Sequence, residues 1–289
     1  MRRRSGPVLR TVALAACALT VAACGAKPEP TSGKLHTTYP VSVRDGLNRI
    51  ITVEAPPRLV LVVSDGPERL LARIGVRAGI APEGVTVARA RALHPDLVVV
   101  GPGYTAVQQQ RNDALIRRVG VPVFVMPGGR LKDIEDGAVQ LGVITDHAEA
   151  GRVLALSLRK QREQLAKQLH GIAPMSAYVD AGFSTSIQRT TLLARLIALA
   201  GARLVGPADG VTTVNAKLLH RLNPDAYIAT NTSGVTLAKL RSRPGLRTLR
   251  SVSTGRVFVV DPSAARADIS AYSLMRSLAH SLHPAVVKR

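Results

Sequence analysis

The chain has 289 residues, is 46% hydrophobic, and carries 39 Lys and Arg against 19 Asp and Glu, a net charge of +20. That length supports one large or two modest domains with a real core, while 3% aromatics and no Trp leave few residues for pockets built on ring stacking. The basic residues are scattered, with no stripe and no aromatic interleaving, which argues against a nucleic-acid binder and reads as solubility or adhesion to anionic partners such as envelope polymers, lipid headgroups or an anionic ligand.

The chain opens with a basic segment, an apolar stretch at 11–23 and small residues up to Cys24. Thirteen apolar positions are too few for a membrane-spanning helix, which needs roughly 20, so residues 1–23 read as an export signal. Val21-Ala-Ala-Cys24 resembles the lipobox of bacterial lipoproteins, which implies lipidation at Cys24. Removing the signal takes away Arg2, Arg3, Arg4 and Arg10 and leaves +16. Cys17 and Cys24 are the only cysteines, so the body has no disulfide and no Cys-based metal site. Residues 24–38, rich in Pro, Gly and small polar residues, read as a flexible tether of roughly 20 Å.

From Tyr39 onward the elements alternate. A hairpin is expected around Asp45-Gly46, then strands at 58–63, 97–100 and 121–126, with helices at 65–75, 85–93, 108–120 and 131–145. Residues 146–171 read as one helix of about 24 residues, ~36 Å long, suited to a rigid spar. The alternation restarts with strands at 175–182, 225–230 and 256–261 and helices at 190–201, 215–222, 236–249 and 271–283. "LHPDLVVVG" at 93–101 returns as "LNPDAYIAT" at 222–230. Each phrase reads as a helix-to-strand corner, because proline disfavours the helical region for the residue before it. The fold class is therefore α/β, with two Rossmann-like lobes, 39–145 and 172–289, joined by one long helix.

These segments resemble a family: the substrate-binding lipoproteins of ABC importers for ferric siderophores, haem and vitamin B12. The resemblance runs from Tyr39 to Pro284 and rests on "YPVSVRDGLNRIITVEAPPRLVLV", "ARALHPDLVVVG", "LKDIEDGAVQLGVITDHAEA" and "LRTLRSVSTGRVFVVDP". It implies a lipid-anchored monomer on the outer face of the cell membrane, carrying a small-molecule metal chelate to an ABC permease. It also implies an acidic docking residue at the tip of each lobe. Ala88 and Lys217 stand at those positions, and Lys217 would repel a permease arginine.

Ligands of open α/β sheets bind off the carboxyl ends of the strands. That rule selects the loops holding Ser64, Asp65, Tyr104, Arg130, Phe183, Asn231 and Arg266 as ligand-binding candidates. The aromatics offer flat apolar area, and each guanidinium could clamp a carboxylate, hydroxamate or propionate. The histidines fall mostly on helices or helix ends, so no metal site or resident cofactor is expected. No Cys nucleophile, G-x-S-x-G elbow or P-loop is present, and the chain reads as a binding protein rather than an enzyme. The different-class alternative is an envelope scaffold on the same fold, holding an anionic polymer through its basic surface. An envelope hydrolase is the weaker third reading.

Overall fold

Leu97–Val100 is buried at all four positions, which requires a sheet covered on both faces. The computed structural model describes residues 36–64, 66–81, 85–182, 187–207 and 214–288; Cys24, Asp65 and Phe183 lie outside them. In chain order the elements of the first half are β1 (Val41–Arg44), β2 (Ile50–Val53), β3 (Val60–Val62), α1 (Pro67–Arg73), β4 (Ala78–Ile80), α2 (Val87–Ala92), β5 (Leu97–Val100), α3 (Ala106–Arg118), β6 (Val123–Val125) and α4 (Leu131–Ile144). Then come α5 (Ala148–Gln168), β7 (Met175–Asp180), α6 (Leu192–Leu199), β8 (Ala202–Leu204), α7 (Ala216–Leu222), β9 (Ala226–Thr230), α8 (Leu237–Ser242), α9 (Arg250–Ser253), β10 (Val257–Val260) and α10 (Ser270–Leu282).

Strands β4-β3-β5-β6 form one parallel sheet and β8-β7-β9-β10 form another. Numbered within each half, both have the order 2-1-3-4. The short second strands, β4 and β8, are absent from the sequence reading. Three residues at a sheet edge carry too little periodicity to register. Each follows a helix ended by a glycine at positive φ, Gly75 and Gly201. The antiparallel pair β1–β2 forms the expected hairpin. Its turn caps the edge strand β6: the Gly46 N–H donates to the Val125 carbonyl at 2.8 Å, and Arg49 Nη2 to the Val123 carbonyl at 2.9 Å. An otherwise open edge is thereby covered.

The repeated Leu-x-Pro-Asp phrases occupy equivalent corners, after α2 and α7 and before the third strand of each sheet. His94 and Asn223 both take the left-handed conformation, φ 48° and 38°, which stops the helix ahead of the proline. The aspartate then grips the start of the neighbouring first strand. Asp96 accepts from the Leu59 N–H at 2.8 Å, and Asp225 from the Ser176 N–H at 3.0 Å and the Ser176 hydroxyl at 2.6 Å. The phrase is a device for registering strand three against strand one.

Helix α5 has 21 residues, ~31 Å. It folds back along α4 through a turn at Thr145–His147 in which Asp146 takes φ 61°. The two helices touch backbone to backbone: a Cβ on Gly142 would lie 2.9 Å from the Gly151 Cα, and one on Gly151 2.6 Å from the Ala138 carbonyl oxygen. One apolar cluster takes in Leu70, Phe124 and Leu141 of the first half, Ala155, Leu158 and Leu165 of α5, and Val179, Leu196 and Met275 of the second. Separate clusters lie beneath α2–α3 and beneath α7–α9, one on each sheet. The linking helix is thus part of a shared core rather than a free-standing rod.

Glu135 of α4, 1% exposed, ties three helices together. Its carboxylate accepts from Arg162 Nε of α5 at 2.9 Å and Arg159 Nε at 3.4 Å. The Tyr272 hydroxyl of α10 lies 3.0 Å from both Glu135 Oε1 and the Leu131 carbonyl oxygen. Burial by itself would push this carboxyl up; hydrogen bonds from Arg162, Tyr272 and Arg159 outweigh it and hold the group below the usual range. Because the folded-state value is depressed, the contribution is present above the unfolded carboxylate range, about 4.3, and is lost as pH falls through the folded value. Glu135→Ala is expected to cost about 2–3 kcal/mol in urea unfolding at neutral pH, with the difference from wild type shrinking below pH ~4. An unchanged midpoint at neutral pH would refute this assignment.

Candidate functional site

An open parallel sheet of order 2-1-3-4 has its switch point between strands one and three. The loops leaving those strands turn away from each other and open a crevice at the carboxyl edge. In the first half these are Ser64, after β3, and Gly101–Tyr104, after β5. The Ser64 Oγ accepts from the Gly101 N–H and ties the two loops together.

The β5 loop is held from behind by α3. Thr105 and Gln108 form a capping box, with Gln108 Oε1 accepting from the Tyr104 and Thr105 N–H groups at 2.9 and 3.1 Å. Asn112 Nδ2 donates to the Gly101 carbonyl at 3.0 Å. This geometry sets the helix start, and residues three apart then share a face. Gln108 and Arg111 accordingly reach the same cavity, of about 210 Å³, which Ser64, Gly101–Tyr104 and Arg266 also line.

Arg266 comes from the other half, on the segment between β10 and α10. That segment is anchored on both sides. Ala267, 2% exposed, meets the loop after β6 at Gly128, where a Cβ would lie 2.4 Å from the Pro102 Cγ and 3.0 Å from the Ala267 Cβ. Only glycine lets these three loops close together. Asp268, fully buried, accepts from the Ser270 N–H at 2.6 Å and lies 3.6 Å from Arg69 of α1. The second sheet therefore delivers one guanidinium to a cavity built by the first.

Two guanidiniums, Arg111 and Arg266, are in the cavity's described lining. Arg111 has a buried Nε with no hydrogen-bond partner among the described residues. Tyr104 is 51% exposed, yet its hydroxyl is pushed up to about 12, first by lost hydration and then by the charges of Asp268 and Asp133. It stays a neutral donor at any physiological pH.

Of the sequence candidates, Ser64, Tyr104 and Arg266 are brought together. Arg130 is not on this lining: it makes two hydrogen bonds to Asp133 Oδ1, at 3.0 and 2.8 Å, from the exposed start of α4. Asn231 sits in the turn after β9 and hydrogen-bonds Asp261. Arg111 and Gln108 are absent from the sequence reading, although the Thr105-x-x-Gln108 box was a visible sign of where α3 begins. No three His, Cys, Asp or Glu among the described residues could hold a metal ion.

No family model matches this sequence, and neither does any curated protein. The structure does find counterparts. An ABC transporter substrate-binding protein from Listeria monocytogenes aligns over 80% of this chain and 100% of its own, at 13% identity and TM-score 0.65. The haem-binding protein HmuT aligns over 85% and 91%, at 19% identity and TM-score 0.62. The vitamin B12-binding protein BtuF of Vibrio cholerae aligns over 81% and 99%, at 13% identity and TM-score 0.64. The chain has the fold of ABC-transporter substrate-binding proteins. In this binding-protein fold the cavity with Tyr104, Arg111 and Arg266 lies at the carboxyl edge, where the sheet order places ligands.

All five tyrosines have hydroxyls raised above the ordinary value of 10.0, each by burial first. The folded state then holds protons that the unfolded chain gives up above pH ~10, so stability is full below that pH and falls as pH rises past it. An ultraviolet titration of the folded chain should show less phenolate near pH 10 than the unfolded chain does, and Tyr104→Phe should remove the step at about 12. Five phenols ionising at pH 10 without unfolding would contradict this.

Proposed function

We propose that this protein is the ligand-capturing component of an ABC importer, exported, lipid-anchored at Cys24, and binding an iron-siderophore, haem or cobalamin-like chelate. The observation that carries the reading is the cavity at the switch point of the first sheet, with Arg111 and Tyr104 on one side and Arg266 reaching in from the other half. Two guanidiniums facing a common space select a ligand bearing carboxylate, hydroxamate or propionate oxygens. The cavity of about 210 Å³ is below the roughly 300–1,000 Å³ of small-molecule sites, so a chelate of that size enters only as the halves part. The shared core along α4, α5 and α10 confines that motion to a small rocking.

The fold supports capture of a solute over the envelope-scaffold alternative, as it supplies a cleft with convergent polar groups. Ala88 and Lys217 fall at the second position of α2 and α7 respectively, both exposed, and neither offers a carboxylate to a permease. Docking on a permease would therefore use other contacts.

Thermal melts of residues 35–289 against ferric siderophores, haem and cobalamin test the reading. A ligand at one hundred times its dissociation constant is expected to stabilise the fold by about 2.7 kcal/mol. Arg111→Ala and Arg266→Ala should each weaken binding about tenfold or more, since each removes a charge-assisted hydrogen bond. No shift with any chelate would overturn the proposal. In cells, Cys24→Ser is expected to move the protein from the detergent phase to the aqueous phase.

A further inference from the structure

Away from the cavity, α5 and α10 lie side by side and leave a groove whose lining has an unusual composition. Helix α10 is amphipathic. Tyr272, Met275, Leu278, Ala279 and Leu282 are buried in the shared core, while Ser273, Arg276, Ser277, His280 and Ser281 form the opposite stripe. Helix α5 meets that stripe with Gln161, Gln164 and Gln168, spaced three and four apart so that they share one face. Two adjoining depressions of about 290 and 400 Å³ share Gln161 and Arg276, and so form one groove.

Among the described residues the groove holds three cations, Lys167, Arg276 and Lys288, and no carboxylate. Glu163, the acidic residue nearest in sequence on α5, is not part of the lining. Beyond Asp268 the sequence has no further Asp or Glu. None of the three cations has an acidic partner within 4.0 Å among the described residues. Lys288 is brought to the groove by the terminal turn: His280 Nδ1 donates to the Val287 carbonyl at 2.7 Å, and Val287 is 2% exposed. The rest of the described lining is glutamine and serine, with Leu165 and His280.

We propose that the groove between α5 and α10 binds phosphoryl groups, through Arg276 and Lys288 with Lys167 and the serine hydroxyls as further donors. A tetrahedral oxyanion accepts several hydrogen bonds at once, and a guanidinium matches two of its oxygens. A flat carboxylate would leave most of these donors unused. The same chemistry is met in free phosphate and in the phosphodiester of an anionic lipid headgroup, and the experiment separates the two.

The test uses the compact unit Leu35–Arg289, so that the apolar N-terminal stretch takes no part. Binding is measured to inorganic phosphate by calorimetry and to phosphatidylglycerol vesicles by co-sedimentation, with phosphatidylcholine vesicles as the uncharged reference. Arg276→Gln and Lys288→Gln should each weaken binding about tenfold, while Arg221→Gln, an equal loss of charge on the exposed face of α7, leaves it nearly unchanged. Binding of inorganic phosphate with this pattern supports the site with free phosphate as its ligand. Binding confined to phosphatidylglycerol vesicles, with the same pattern, supports it with the headgroup as ligand. Binding of neither, or equal weakening by Arg221→Gln, overturns the proposal in favour of diffuse charge attraction. Because the substituted side chains are exposed, unchanged melting temperatures are expected and are checked alongside.

Discussion

A carboxylate almost closed to water lies where α4, α5 and α10 converge, and the rest of the architecture is arranged around its satisfaction. Glu135 accepts from Arg159 and Arg162 of the linking helix and faces the Tyr272 hydroxyl of the last helix. A buried charge is tolerated only when paired and hydrogen-bonded. The two sheet-bearing halves cannot move far apart at this point without exposing the carboxylate or stranding it. The glycine contact between α4 and α5 acts in the same direction, since helices that touch backbone to backbone cannot slide without a clash.

Given that constraint, the two halves play unequal parts despite their matching topology. Both have strand order 2-1-3-4, and both use an aspartate after proline to register strand three against strand one. The first half builds the cavity walls from its own switch-point loops. The second contributes a single segment, 265–270, locked down by Ala267 against Gly128 and by Asp268 beside Arg69. Besides the shared core, one contact between the halves therefore lies at the cavity itself.

Charge is also distributed unequally. Residues 172–289 hold 15 Lys and Arg against 5 Asp and Glu, whereas residues 39–145 hold 13 against 10. The basic excess belongs to the second half, and two of its cations, Arg276 and Lys288, line the groove along α10. A net charge spread this way draws anions toward one side of the molecule before any specific contact forms.

Much of the fold was legible in the residues alone. The all-apolar run Leu97–Val100, the helices closed by glycine and the doubled Leu-x-Pro-Asp phrase are local signals, and local signals determined the alternation, the parallel sheets and the two halves. Short edge strands such as Ala78–Ile80 were not legible, because three residues have no period. Neither was the partnership of Glu135, because its partners Arg159, Arg162 and Tyr272 lie 24, 27 and 137 positions away. Ser64, Tyr104 and Arg266 could be selected from the rule about strand ends. That Arg111 joins them, and that Arg130 turns instead to Asp133, depended on where α3 and α4 begin and on which face each then presents. Such facts belong to the tertiary structure, because a cavity is defined by side chains far apart in the chain, and no local pattern records the distance between them.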